Sequence, residues 1–215
     1  MNTDKKFNAV YILDEVPWVF KETPKELVEL VEKGKIKPCK TLEVGCGVGY
    51  CSIYFASKGF QITGIDWSEK AIEMVMGNAE EAGVSVKFIQ MDIKNVNMLK
   101  EKFGFIFDWR FLHDIVDEED RKKYAENIGM MLNSNGKYLS VYFNEKSILF
   151  GKGKFRRNPR FGIDLHFASM EDIENLFNSY FNIKEKRIIK LPEKICGEKK
   201  DIFANYIFME NRGTK

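Results

Sequence analysis

Two rhythms of apolar residues alternate along the chain. Runs of branched and aromatic residues at 41–44, 62–65, 84–90, 103–107 and 137–143 have the length and composition of strands. Between them, apolar residues recur every three or four positions, as the buried stripe of a helix requires. Residues 24–33 predict a helix with Pro24 in its first turn and Gly34 beyond its end. Ser68 is placed to cap a helix through Ala82 whose apolar face carries Ala71, Ile72 and Val75. A helix over 118–132 is expected to stop at the Asn-Ser-Asn-Gly turn of 133–136, and Ser169 caps another through Phe177. Strands over 180–189 and 202–209 follow with no helix between them, which predicts an antiparallel pair at one sheet edge. About seven strands with interleaved helices predict an α/β domain: a doubly wound, mostly parallel sheet with helices on both faces. Residues 144–167 fit neither rhythm, and an irregular connection of that length is usually functional or disordered.

The densest chemistry lies at the end of the first strand. Glu43 stands two positions before the turn Gly45-Cys46-Gly47-Val48-Gly49. Strand, glycine turn, helix and a second strand ending at Asp66 form a nucleotide-binding half of such a sheet. Glycine lets the backbone approach a ligand where a Cβ would collide. Asp66, 21 residues after Gly45, is placed to accept hydrogen bonds from both ribose hydroxyls. The glycine spacing selects among nucleotides: a dinucleotide fingerprint reads G-x-G-x-x-G, and here Tyr50 occupies the third glycine position while Gly49 comes one residue early. At the next strand end, Asp92 can accept from an adenine amino group or cap the segment after it. Trp67 and Ile93 can cover the ring face, and Trp67 can equally serve helix–sheet packing.

A chain of 215 residues with 44% hydrophobic content can bury a substantial core in one domain. The expected divisions are an arm and helix over 1–38, a cofactor-binding core over 41–143, a basic cover over 144–168, and a C-terminal helix with edge strands over 169–211. No apolar run approaches the roughly 20 residues of a membrane span, and the polar start leads into no signal-length run, so a cytoplasmic protein is expected. Cys39, Cys46, Cys51 and Cys196 are too few and too uneven for a disulfide framework, and no zinc-type spacing joins them to His113 or His166. Buried thiols and no metal are the expectation. The net charge of +2 is local in origin: Lys146, Lys152, Lys154, Arg156, Arg157 and Arg160 lie in a stretch without an acidic residue.

The shortened glycine triplet, with Glu43 before it and Asp66 after it, resembles motif I of the class I S-adenosylmethionine-dependent methyltransferases. The resemblance implies a Rossmann-like fold. It also implies that Glu43, Gly45, Cys46, Gly47, Gly49, Asp66, Trp67, Asp92, Ile93 and Asp108 bind S-adenosylmethionine. The segment Phe107-Asp108-Trp109-Arg110-Phe111-Leu112-His113-Asp114, continued at 120–125, resembles the thiopurine S-methyltransferase-like group, which includes thiol, halide and tellurite methyltransferases. Pro17-Trp18, followed by Pro24 and its helix, resembles that group's entrance arm. This implies that Trp18 contacts the cofactor and that Arg110 borders the acceptor. Phe111 stands where many of the group carry glycine, and 144–167 is longer and more basic than theirs.

The expected reaction is in-line methyl transfer to a small molecule, with a thiol or other soft nucleophile ahead of a hydroxyl. O- or N-methylation of an anionic or aromatic metabolite is the alternative, and a non-catalytic S-adenosylmethionine-binding module is a reading of another class. A thiol of ordinary pKa near ~8.5 is partly ionised already, and an arginine nearby increases that fraction. A hydroxyl needs a positioned base. His113 is the first candidate, with Asp114 to orient it, and His166 the second. A packed or cofactor-contacting His113 is the competing reading. The basic segment reads as a solvated loop, as a cover selecting an anionic acceptor through Lys152, Arg156, Arg157 or Arg160, or as a nucleic-acid contact with Phe150, Phe155 and Phe161 stacking on bases. Near-neutral overall charge and the lack of an Asn-Pro-Pro-Tyr-type motif argue against the last.

Overall fold

A computed structural model describes residues 8–12, 22–191 and 202–213; Trp18 and Cys196 lie outside these. Five strands run parallel: β1 (Lys40–Val44), β2 (Gln61–Asp66), β3 (Lys87–Gln90), β4 (Phe103–Trp109) and β5 (Leu132–Phe143). Two more, β8 (Phe181–Leu191) and β9 (Ile202–Asn211), complete a seven-stranded sheet in the order β3-β2-β1-β4-β5-β9-β8. β9 is antiparallel to both β5 and β8, as expected for consecutive strands without a crossover helix. The helices are α1 (Lys25–Glu32), α2 (Tyr50–Ser57), α3 (Glu69–Glu81), α4 (Glu118–Met131) and α5 (Met170–Phe177). No helix among the described residues is long and apolar enough to cross a membrane.

Strand alternation sorts the core into two layers. Phe105, Phe107, Leu139 and Val141 pack with Leu27, Leu30 and Phe55 on the α1–α2 side. Ile106, Tyr138 and Tyr142 face Tyr124, Ile128 and Ile173 on the α4–α5 side. Both sheet faces are therefore buried, which explains why β4 and β5 read as nearly continuous apolar runs. Ser68 caps α3 by accepting from the Ala71 N–H, and Ser169 forms a capping box with Asp172 on α5. On α3 the buried face is Ala71, Val75 and Ala79, with Ile72 only half-buried.

Three boundaries differ from the sequence reading. β3 begins at Lys87 rather than 84, because this edge strand pairs on one side only. The polar 133–136 stretch is absorbed into β5 instead of forming a turn: Leu132 pairs with Phe103 and Lys137 with Phe105, so the residues between bulge out, with Asn135 at φ +61°. Residues 144–167 are not an open loop. They contain a two-stranded antiparallel hairpin, β6 (Phe155–Asn158) with β7 (Ile163–His166).

The sheet order reverses between β1 and β4, and the segments leaving their carboxyl ends diverge to opposite sides. At Gly49 the chain enters α2 with φ +83°, and a Cβ there would lie 1.9 Å from Val75 Cγ2 on α3. Gly49→Ala is accordingly expected to destabilise the protein by about 1–3 kcal/mol, read as a lower urea midpoint. Adding Val75→Ala should recover the steric part and leave the backbone strain.

Candidate functional site

A cavity of about 420 Å³ opens at this switch point and runs from the glycine turn to the β6–β7 hairpin. Its first half is built by the turn after β1. Four of the five N–H groups of the turn are engaged internally. Gly45 and Cys46 both donate to the Ile65 carbonyl at 2.9 Å, Gly49 donates to the Cys46 carbonyl, and Gly47 donates to Asp66 Oδ2 at 2.9 Å. Asp66 Oδ1 accepts from the Ser68 N–H at 2.9 Å, so one carboxylate ties the turn to the start of α3. Each Asp66 oxygen keeps acceptor capacity beyond these single bonds. Gly45, at φ +71°, is required by close packing: a Cβ there would lie 2.6 Å from the Phe111 ring. Phe111 thus covers the first glycine of the turn.

Glu43 is buried beneath the turn and accepts from the Ser52 hydroxyl; burial pushes its carboxyl up to about 8. Burial also raises Asp66, against the opposing N–H bonds of Ser68 and Gly47. Asp92 lines the same half and caps the next segment by accepting from the Lys94 N–H at 2.9 Å, so lining and capping are combined in one side chain. Trp67, Ile93 and the buried Cys46 also border the cavity. Burial raises the Cys46 thiol, which keeps it neutral.

This donor set fits one kind of nucleotide. A phosphate cradle presents free backbone N–H groups, whereas here four of the five turn N–H groups are engaged and Glu43, Asp66 and Asp92 line the same half of the cavity. Acceptor carboxylates suit a ribose diol and a cationic amino-acid end.

The second half is apolar and aromatic. Arg110 leaves β4 with φ +64° and holds its guanidinium carbon 5.3 Å from the Phe143 ring centroid. His113 stacks on Phe143 at 3.9 Å and is buried, with no hydrogen-bond partner for Nδ1 among the described residues. Burial, with Arg110 and His166 adding repulsion, holds its pKa well below the ordinary imidazole value, so the ring is neutral. Asp114 does not orient it: Oδ1 lies 3.9 Å from His113 Nε2, beyond hydrogen-bond length. Burial pushes the Asp114 carboxyl up to about 8. Leu149, Phe150, Ile163 and Leu165 close the wall, and they come from the segment whose sequence has no periodic signal.

Three expected site residues lie elsewhere. Asp108 does not border the cavity. β4 runs two residues past Phe107, which carries Asp108 into the core, where it accepts from the hydroxyls of Tyr138, Tyr124 and Ser140. Arg156 and His166 are also buried away from the cavity. Arg156 donates to backbone carbonyls, and His166 Nδ1 meets the Tyr142 hydroxyl beside Phe155. Burial, with Arg121 and Lys154 adding repulsion, lowers His166 to about 4. Much of the basic character of this segment is compensated locally, since Arg157 pairs with Asp164 and Lys154 with Asp172.

A mostly parallel sheet of this order, with a glycine turn at its switch point, is a Rossmann-like fold. Residues 41–136 match the family described as a methyltransferase domain. The chain is 29% identical over 130 residues to 2-heptyl-1-hydroxyquinolin-4(1H)-one methyltransferase of Mycobacteroides abscessus, covering 60% of this chain and 56% of that protein. The match therefore spans about half the length of that relative. Among solved structures, the chain superposes over its full length on 95% of one reported for conversion of a disulfide bond into a thioacetal group during echinomycin biosynthesis, with a TM-score of 0.79 and 16% identity. It also superposes over 99% of its length on all of the N-methyltransferase NodS of Bradyrhizobium japonicum bound to S-adenosyl-L-homocysteine, with a TM-score of 0.74 and 18% identity.

Burial holds the Asp108 carboxyl at about 6 against the hydroxyls of Tyr138, Ser140 and Tyr124. The folded chain therefore keeps a proton that the unfolded chain releases near pH ~4. The sign follows: this group's contribution is complete below pH ~4 and is lost as pH rises to about 6. Urea midpoints are expected to fall across that window, by a free energy on the order of 3 kcal/mol for this group, and the fall should be smaller by that share in Asp108→Asn, where the raised Glu43 and Asp114 still contribute.

Proposed function

We propose that this protein binds S-adenosylmethionine in the glycine-turn half of the cavity and transfers its methyl group to a small, flat acceptor held in the aromatic half. The observation that carries the reading is the carboxyl-lined turn, four of whose five N–H groups are already engaged, which disfavours phosphate and suits a diol with a cationic tail. When bound, S-adenosylmethionine supplies an electrophilic methyl group on a sulfonium. The chain's task is then orientation: holding nucleophile and methyl in line can supply about 7–11 kcal/mol of the barrier. Glu43, Asp66 and Asp92 hold the cofactor end, Cys46, Trp67 and Ile93 pack against it, and Gly45, Gly47 and Gly49 shape the turn. Trp18 belongs to the cofactor set by resemblance alone.

Arg110 and His113 face the acceptor. His113, neutral and lining the cavity, accepts a hydrogen bond from an acidic hydroxyl or N–H and takes its proton as the methyl bond forms. A base held so far below the ordinary imidazole value matches an acidic proton rather than an aliphatic alcohol's. The hydroxyquinolone named for the mycobacterial relative is an acceptor of this kind. The second reading is a thiol or other soft sulfur nucleophile. Arg110 in the cavity wall, the thiopurine S-methyltransferase-like run at 107–114 and the sulfur chemistry named for the echinomycin structure favour it. Small-molecule binding without turnover is the reading that the assay must separate from both.

Calorimetric titration with S-adenosylhomocysteine, S-adenosylmethionine and NAD tests the cofactor. Binding of the first two and not NAD is expected, and Asp66→Ala should weaken it by about 10–100-fold, because charge-assisted acceptor bonds are removed. Methyl transfer from labelled S-adenosylmethionine to 2-heptyl-1-hydroxyquinolin-4(1H)-one and to thiophenol separates the two acceptor classes. Cofactor binding with transfer to neither would favour the non-catalytic module, and NAD binding would overturn the proposal.

A further inference from the structure

Arg156 is a buried cation with no carboxylate bound to it among the described residues. Its Nε donates to the Gly153 carbonyl at 2.7 Å. Nη1 donates to Ser147 at 2.6 Å and Leu149 at 3.0 Å, and Nη2 to Glu145 at 2.9 Å. Four carbonyls of one nine-residue segment are thus wrapped around a single guanidinium, and its flat face lies 3.9 Å from the Phe167 ring centroid. Two side chains of the wrapped segment, Leu149 and Phe150, line the cavity. Phe150 holds φ +58°, a conformation that persists only where its surroundings over-determine it. The ring beneath Arg156 continues the connection: Phe167 stacks on Phe143 at 5.2 Å and 15°, and Phe143 stacks on His113.

We infer that Arg156 is a positioning residue for the acceptor: from outside the cavity it fixes the Leu149–Phe150 wall and, through Phe167 and Phe143, the plane of the His113 ring. The inference rests on the methyltransferase reading for what the wall contacts, and on this geometry alone for what holds the wall. A lysine cannot replace it, because an ammonium presents three donors from one point while the four carbonyls surround a planar fork. The cofactor half shares none of these contacts. The turn is held by Ile65 and Asp66, whereas the acceptor wall hangs on Arg156 and on anchors to β9, where Asn144 pairs with Asn205 and Ser147 with the Phe203 backbone. Those anchors sit at the start of the segment, so loss of the guanidinium frees chiefly 148–153.

Backbone hydrogen exchange over 145–153 and S-adenosylhomocysteine calorimetry are measured together for wild type, Arg156→Lys and Arg156→Gly. Exchange at 148–153 should accelerate by about tenfold or more in both variants. S-adenosylhomocysteine affinity should stay within about twofold, and millimolar guanidinium should restore protection in Arg156→Gly. With 2-heptyl-1-hydroxyquinolin-4(1H)-one or thiophenol, whichever is methylated, KM should rise by about tenfold with a smaller change in kcat. Unchanged exchange in Arg156→Lys, or cofactor affinity falling in step with the loop, overturns the inference. Wild-type protein that binds no S-adenosylhomocysteine overturns the methyltransferase reading instead, and the exchange comparison still decides what holds the wall.

Discussion

The Asp66 carboxylate is the constraint on which the cofactor half depends. Its two oxygens hold the Gly47 and Ser68 N–H groups, so the turn after β1 and the cap of α3 share one buried acceptor. The Gly45, Cys46 and Gly49 N–H groups close onto Ile65 and Cys46. A loop satisfied in this way has a fixed shape before any ligand arrives, and it offers carboxylate and carbonyl oxygens rather than N–H groups. The glycines serve that shape as much as ligand approach. Gly45 makes room for Phe111, and Gly49 for Val75.

The aromatic half of the cavity follows a different logic. Its polar groups are few and largely desolvated: a neutral His113 on Phe143, an Asp114 with a raised pKa, and an Arg110 turned off β4. Removing water is what makes each of these groups specific. In a slot lined by aromatic rings, one mismatched polar contact costs more than an extra apolar contact returns. Geometry here is set by stacked rings and by a cation held on carbonyls, and ion pairs with carboxylates stay at the exposed rim, as with Arg157 and Asp164.

The glycine-turn half of the cavity was legible in the sequence because its signals are local. Glu43, the glycine triplet, Asp66 and Asp92 each sit at a strand end, and strand ends follow from periodicity. Asp108 misled for the same reason. The apolar run stops at Phe107, but β4 continues through Asp108 to Trp109 because Tyr124, Tyr138 and Ser140 supply hydroxyls from elements distant in sequence. Arg156 and the hairpin were hidden more deeply. A basic, glycine-rich stretch looks solvated until four carbonyls are seen to converge on one side chain, and no periodicity encodes that convergence. The polar run at 133–136 has turn composition, yet its neighbours Leu132 and Lys137 are recruited by β4 and the residues between them bulge.

The β6–β7 hairpin makes its ladder hydrogen bonds only within itself, as a sheet separate from the seven-stranded one. Ile163 and Leu165 nevertheless face the cavity. Both also pack in one core layer with Phe105 and Phe107 of β4 and Leu139 and Val141 of β5. The hairpin is therefore separate from the sheet in its hydrogen bonds and joined to it through side chains, so a change in the slot's shape is felt by the strands through packing and leaves their ladder bonds in place.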